Sequence, residues 1–135
     1  MGDIIKRYEA KSTETEAGRR LRFLYDSGSP RTFIKKSAAL KMKDVFELRN
    51  PRIFHGMGDG KFSATHAMML LVKLKGIWVD YLCYVVPDKV FEEEYDVLVG
   101  HDFMRIYDIS LNLRKRDVII SKGALISGMK IKKAA

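Results

Sequence analysis

The chain predicts a small all-β barrel with one or two short helices. Three observations predict it. Short apolar runs with a period of two follow one another along most of the sequence. Turn-forming Gly, Pro, Asn and Asp punctuate them at close spacing. Only two short stretches, within residues 35–41 and 101–106, have the composition of a helix. The 135 residues suit one domain with one core, and no linker or repeat divides them.

Ile4 to Ala10 reads as a strand, and the polar run Lys11 to Gly18 as an exposed hairpin loop. Leu21, Phe23 and Tyr25 alternate with Arg20, Arg22 and Leu24, giving a strand with one buried face that ends at Asp26. Thr32-Phe33-Ile34 resumes an extended piece, and Ala38, Ala39 and Leu40 mark a short helix. Asn50-Pro51 reads as a break before a strand at Arg52–His55, which leads into the glycine-rich tip Gly56–Gly60. Phe62, Ala64, His66, Met68, Leu70, Val72 and Leu74 fall on one face of the next strand, with Met68 and Met69 both assigned to the core. Ile77 to Val85 returns as its partner and ends at Pro87-Asp88. Phe91 to Glu94 is an acidic connector, Tyr95 to Val99 an apolar strand closed by Gly100, and His101 to Ile106 a short helix in which Asp102 is a candidate cap. Ile109–Leu113 and Val118–Ile120 pair across the turn Arg114-Lys115-Arg116. The core spans about residues 19–120, and residues 121–135 form a tail or one more strand.

Composition narrows the function classes. No apolar run reaches the length of a membrane-spanning helix, the longest being Ala67–Val72, so no membrane partner is expected. The N-terminal residues lack a secretory pattern, and the single cysteine, Cys83, has no intrachain partner. Both suit a reducing, cytoplasmic setting. The formal charge of +8 invites a nucleic-acid reading. The Lys and Arg are scattered, however, and no aromatic residues interleave with them as a base-stacking surface requires, so nucleic acid is not the expected partner.

Several chemistries are absent from the sequence. His55, His66 and His101 lack metal-ligand spacing, and no His-Glu-x-x-His occurs. Cys83 lies mid-strand and reads as a small buried hydrophobe. No nucleophile elbow is present. The tip Gly56–Gly60 lacks the Lys-Ser/Thr ending of a phosphate loop and precedes a strand rather than a helix.

What remains is Phe23-Leu24-Tyr25-Asp26-Ser27-Gly28-Ser29. An apolar strand delivers a carboxylate into a turn of small residues. Desolvating that acid is unfavourable unless donors or a second group compensate. Asp-Ser-Gly is also a common solvated turn, so the tripeptide alone admits both readings.

The order of three features decides between them: Asp26-Ser27-Gly28-Ser29 followed by Thr32-Phe33-Ile34, the hairpin tip Gly56–Gly60, and Val97-Leu98-Val99-Gly100-His101-Asp102-Phe103. This order resembles the retropepsin-like aspartic proteases, the retroviral protease and its cellular and prokaryotic relatives. The resemblance covers about Arg19 to Ile120 and implies a closed acid-protease barrel with one lobe per chain. It further implies an obligate homodimer, because one chain carries one such motif while the chemistry needs two adjoining carboxylates that share a proton. The implied activity is endopeptidase cleavage of proteins or peptides by water, with no cofactor and no metal. A dimeric interaction module with little or no catalysis is the alternative on the same barrel.

The resemblance also implies roles. Asp26 matches the catalytic aspartate, and Ser27 the hydroxyl that reaches across the dimer. Gly28 matches the glycine whose carbonyl meets substrate. Ser29 matches a position where a hydroxyl can bond the carboxylate and favour its ionised form, which implies an acid-shifted optimum. Gly56, Met57, Gly58, Asp59 and Gly60 match the flap that closes over substrate. Gly100 matches the glycine that lets a strand pass close beneath the aspartate turn. The sequence departs from the family at three places: Tyr25 replaces an aliphatic residue, Pro30 removes an amide N–H, and Arg31 adds a positive charge beside the cleft. Together they imply altered specificity, for acidic side chains near the cleaved bond, or weak catalysis.

Overall fold

The computed structural model describes residues 4–56, 60–91 and 94–134. In chain order the strands are β1 (Ile4–Lys11), β2 (Arg19–Tyr25), β3 (Phe33–Lys35), β4 (Phe46–His55), β5 (Lys61–Leu74), β6 (Ile77–Val86), β7 (Val97–Val99), β8 (Ser110–Asn112) and β9 (Asp117–Ile119). The helices are α1 (Lys36–Ala39), α2 (His101–Ile106) and α3 (Lys122–Ala134), with a 3-10 turn at Asp88–Val90.

The first seven strands form one sheet in the order β1-β2-β7-β3-β6-β5-β4. A second pairing, Ala10 with Val72 and Lys11 with Leu71, joins β1 to β5. It closes six strands into a barrel and leaves β4 as an edge on β5. Strands β8 and β9 form a separate hairpin.

Two apolar clusters fill the molecule. The larger gathers Phe23, Ile34, Met68, Leu70, Val79, Val97, Phe103 and Tyr107. The smaller gathers Leu24, Phe33, Ala64, Ala67, Tyr84 and Leu98. Strand β5 serves both, which is why its period of two shifts where Ala67 and Met68 are both fully buried. Each side chain such as Leu70 or Ile34 taken from water contributes about 1.5–3 kcal/mol. Cys83 is buried among them as a free thiol, and burial pushes its pKa up.

Strand β7 positions the site. It runs parallel to β2 and antiparallel to β3, so it passes between the two segments that flank the Asp26 turn. Val97, Leu98 and Val99 are all buried, as a strand covered on both faces requires. At its start, Asp96 accepts from the Arg22 backbone N–H at 2.8 Å and from its guanidinium at 3.0 and 3.2 Å, and lies 3.1 Å from Lys35 Nζ. Burial opposes ionisation of Asp96, but these bonds outweigh it and hold the carboxyl below the usual range.

Five expectations change. Strand β4 begins at Phe46 and carries Asn50-Pro51 within it, with a register shift between Glu47 and Arg52. An edge strand tolerates a proline at such a bulge, because no neighbour needs its missing N–H. The tail is neither a loose end nor a strand but helix α3, anchored by buried Leu125. Its Gly128 lies so close to Tyr107 that a β-carbon would stand 2.5 Å from the ring. The loop after β1 is not wholly exposed, since Ser12 is buried, bonded to Glu16, and accepts from the Lys43 and Asp44 N–H groups. His66 and Met69 face outward, leaving Met68 alone of the methionine pair in the core. Asp102 does not cap α2; Gly100 occupies that position.

Candidate active site

Strand β2 ends at Tyr25, and the next N–H, that of Asp26, still bonds to the Val99 carbonyl of β7 at 2.9 Å. The chain then turns. Ser29 N–H donates to the Asp26 carbonyl at 3.1 Å, and Gly28 N–H donates to Asp26 Oδ1 at 3.0 Å. The half-buried carboxylate is thereby fixed by its own turn.

The turn is strapped to the junction of β7 and α2. His101 N–H donates to the Ser29 carbonyl at 2.6 Å. Thr32 Oγ1 accepts from Gly100 N–H at 3.1 Å and donates to Asp102 Oδ1 at 2.8 Å. Asp102 Oδ1 also accepts from Phe103 N–H at 2.8 Å. Gly100 leaves room for the crossing: a β-carbon there would stand 2.1 Å from the Arg31 carbonyl oxygen and 2.8 Å from that of Ser29. Tyr81 packs nearby, and burial followed by the Asp102 charge pushes its phenol up to about 12.

Asp26 opens onto a cleft of about 430 Å³. It is lined by Gly28, Ser29, Pro30 and Arg31 from the turn and by Arg52 to Gly56 from the β4 hairpin. Phe33 and Phe62 also line it. Their rings lie 5.3 Å apart, and Phe54 stands edge-on to Phe33 at 4.9 Å. Gly56 N–H donates to the Gly60 carbonyl at 2.9 Å and both glycines have positive φ, which ties off the hairpin tip. Among the described residues, no three His, Cys, Asp or Glu side chains gather as a metal site.

No protein-family model and no curated protein sequence matches this chain. Solved structures do. The retroviral protease-like domain of Ddi1 from Leishmania major superposes with a TM-score of 0.58 at 17% identity, over 86% of this chain and 87% of that one. EIAV protease, in complex with the inhibitor HBY-793, superposes with a TM-score of 0.61 at 14% identity, over 82% of this chain and 93% of that one. The fold is the retropepsin fold.

Within that retropepsin fold, Asp26, Gly28, Ser29, Pro30, Arg31 and Gly56 come together around one cleft. Gly60 closes the hairpin tip, and Met57, Gly58 and Asp59 lie outside the described residues. Ser27 points elsewhere. It is exposed and lines a second groove with His101, Met104, Leu111 and Leu113. Gly100 sits beneath the turn, out of the cleft.

Two expectations are corrected. The Ser29 hydroxyl donates to the Arg31 carbonyl at 2.8 Å, not to Asp26, so it supplies no reason for an acid-shifted optimum. Tyr25 is buried on the opposite side of the strand, where its hydroxyl meets that of Tyr8 at 2.9 Å, so it does not shape the cleft. Sequence reasoning missed Thr32 and Asp102 as the strap, and Arg52, Phe54 and Phe62 as cleft wall. The Gly-x-Asp after β7 was the available signal for the strap; nothing local marked the wall.

Proposed function

We propose that this chain is an aspartic endopeptidase that works as a homodimer. The observation that carries the reading is the lone Asp26 carboxylate, fixed at a strapped turn and open to a peptide-sized cleft. One carboxylate is half of an acid–base pair. A second copy related by a two-fold axis supplies the other half.

The groove beside Ser27 supports this arrangement. Leu113 and Ile119 of the β8–β9 hairpin are 63% and 56% exposed, and Leu113 lines that groove. Leaving such side chains in water is unfavourable, and a second copy would cover them. It would also offer a partner to the exposed Ser27 hydroxyl, next to Asp26.

In the pair, two carboxylates at contact distance hold one proton. The ionised one removes a proton from a water held between them, and that oxygen attacks the substrate carbonyl carbon. The protonated one gives its proton to the carbonyl oxygen, and the tetrahedral diol then collapses as the carboxyl that took the water's proton passes it to the amide nitrogen, breaking the C–N bond and releasing the amine. The family resemblance gives the β4–β5 hairpin, tied between Gly56 and Gly60, the role of covering the bound peptide and excluding bulk water. Pro30 offers no N–H to the substrate backbone, so binding leans more on side-chain contacts with the cleft walls.

Digestion of a peptide library with the protein and with Asp26→Asn tests the reading. Cleavage by the first and not by a folded second supports it. No cleavage by either, with a dimer present, supports a retropepsin-like interaction module instead.

A further inference from the structure

The cleft walls carry an uneven charge. Among the described lining residues, Asp26 is the one acid, while Arg31, next to the aspartate turn, and Arg52, on β4, both line the cleft. Neither arginine lies in an ion pair among the described residues. Asp102, which shares a neighbouring hollow with Arg31, is engaged by Thr32, Phe103 and Tyr81 and makes no ion pair with it.

Arg52 is also held in place. Its guanidinium lies over the rings of Tyr84 at 5.2 Å and Phe54 at 5.5 Å, and Nη1 donates to the Tyr84 hydroxyl at 3.0 Å. That bond uses one of five N–H donors. A stacked guanidinium loses little freedom when a ligand arrives, and its planar fork matches a carboxylate. The exposed Arg31 guanidinium donates from Nη1 to the Pro30 carbonyl at 3.3 Å.

We propose that this cleft selects peptide segments bearing acidic side chains, with Arg52 as the specificity-determining residue and Arg31 as the second contact. The inference rests on the reading of the cleft as a peptide site and names the class of peptide. An acidic segment also offsets the loss of a backbone donor at Pro30, because a bidentate arginine–carboxylate contact is among the stronger hydrogen-bonded pairs.

Binding tests this without requiring turnover. The full chain carrying Asp26→Asn is titrated with two labelled degenerate peptide pools. One contains Asp and Glu; the other has Asn and Gln in their place. The acidic pool should bind roughly tenfold tighter or more, with the difference shrinking as salt rises. Arg52→Gln should remove most of the difference, and Arg52→Lys should restore only part of it. Equal binding of the pools, binding of neither, or a preference unchanged in the Arg31→Gln/Arg52→Gln double variant overturns the proposal. Cleavage by the unmodified protein is scored separately. Acid-selective binding without cleavage keeps this inference and removes the protease reading; cleavage without preference for the acidic pool does the reverse.

Discussion

The carbonyl of Arg31 lies directly over Gly100, at 2.1 Å from where a β-carbon would be. No rotamer relieves such a contact, because both partners are backbone. Gly100→Ala must therefore push the aspartate turn away from β7. We expect a loss of about 1–3 kcal/mol or more, the range for overpacked sites. Urea denaturation measures it, and cleavage should fall further than stability alone explains. A variant with unchanged stability would show that the turn is not seated as described.

Thr32 joins Gly100 and Asp102 through one hydroxyl. Thr32→Val keeps the shape and leaves the buried Gly100 N–H without its acceptor. That should cost about 1–3 kcal/mol. Thr32→Ser keeps the hydroxyl and should cost less. Equal losses in the two variants would assign the effect to the methyl group instead of the strap.

Asp96 gives the fold a pH dependence of known sign. Its folded-state pKa is depressed by the Arg22 and Lys35 bonds against the opposing effect of burial. The stability it contributes is present above the unfolded-state value of about 3.9 and is lost as pH falls through the folded-state value. Asp96→Asn should destabilise the protein by about 1.5–3 kcal/mol at neutral pH. The gap between variant and parent should narrow as the pH drops below about 4. Denaturation curves across that window check it; a gap constant with pH would contradict the assignment.

The exposed Leu113 gives a test of assembly separate from folding. Leu113→Lys changes a side chain already in water within one chain, so its thermal unfolding as a monomer should move by less than about 0.5 kcal/mol. Sedimentation should nonetheless show a shift from dimer to monomer, with loss of cleavage in proportion. An unchanged dimer would place the interface elsewhere.

The parts of this fold legible in the sequence were those fixed by local chemistry. The alternation Leu21-Phe23-Tyr25 marked β2, and the small residues after Asp26 marked the turn. What stayed hidden depends on elements distant in the chain. Arg52 meets Tyr84 across β5, which separates their strands, so no spacing reveals the pair. Helix α3 carries Gly123 and Gly128, which weaken any helical signal; Gly128 is there because Tyr107 crosses against it. Asn50-Pro51 looked like a break before the strand, and hid its start at Phe46, because edge position and bulge are tertiary facts. The Ser29 hydroxyl had two possible acceptors nearby, and only the folded turn chooses the Arg31 carbonyl.

The most direct test of a shared site is subunit mixing. The protein is equilibrated with an equal amount of Asp26→Asn and assayed for peptide cleavage. If each site needs one Asp26 from each of two chains, mixed pairs are inactive, and activity should fall to about half that of the same amount of unmixed protein. If activity is unchanged by the variant while the two forms demonstrably exchange subunits, one chain suffices, and the two-carboxylate account is wrong.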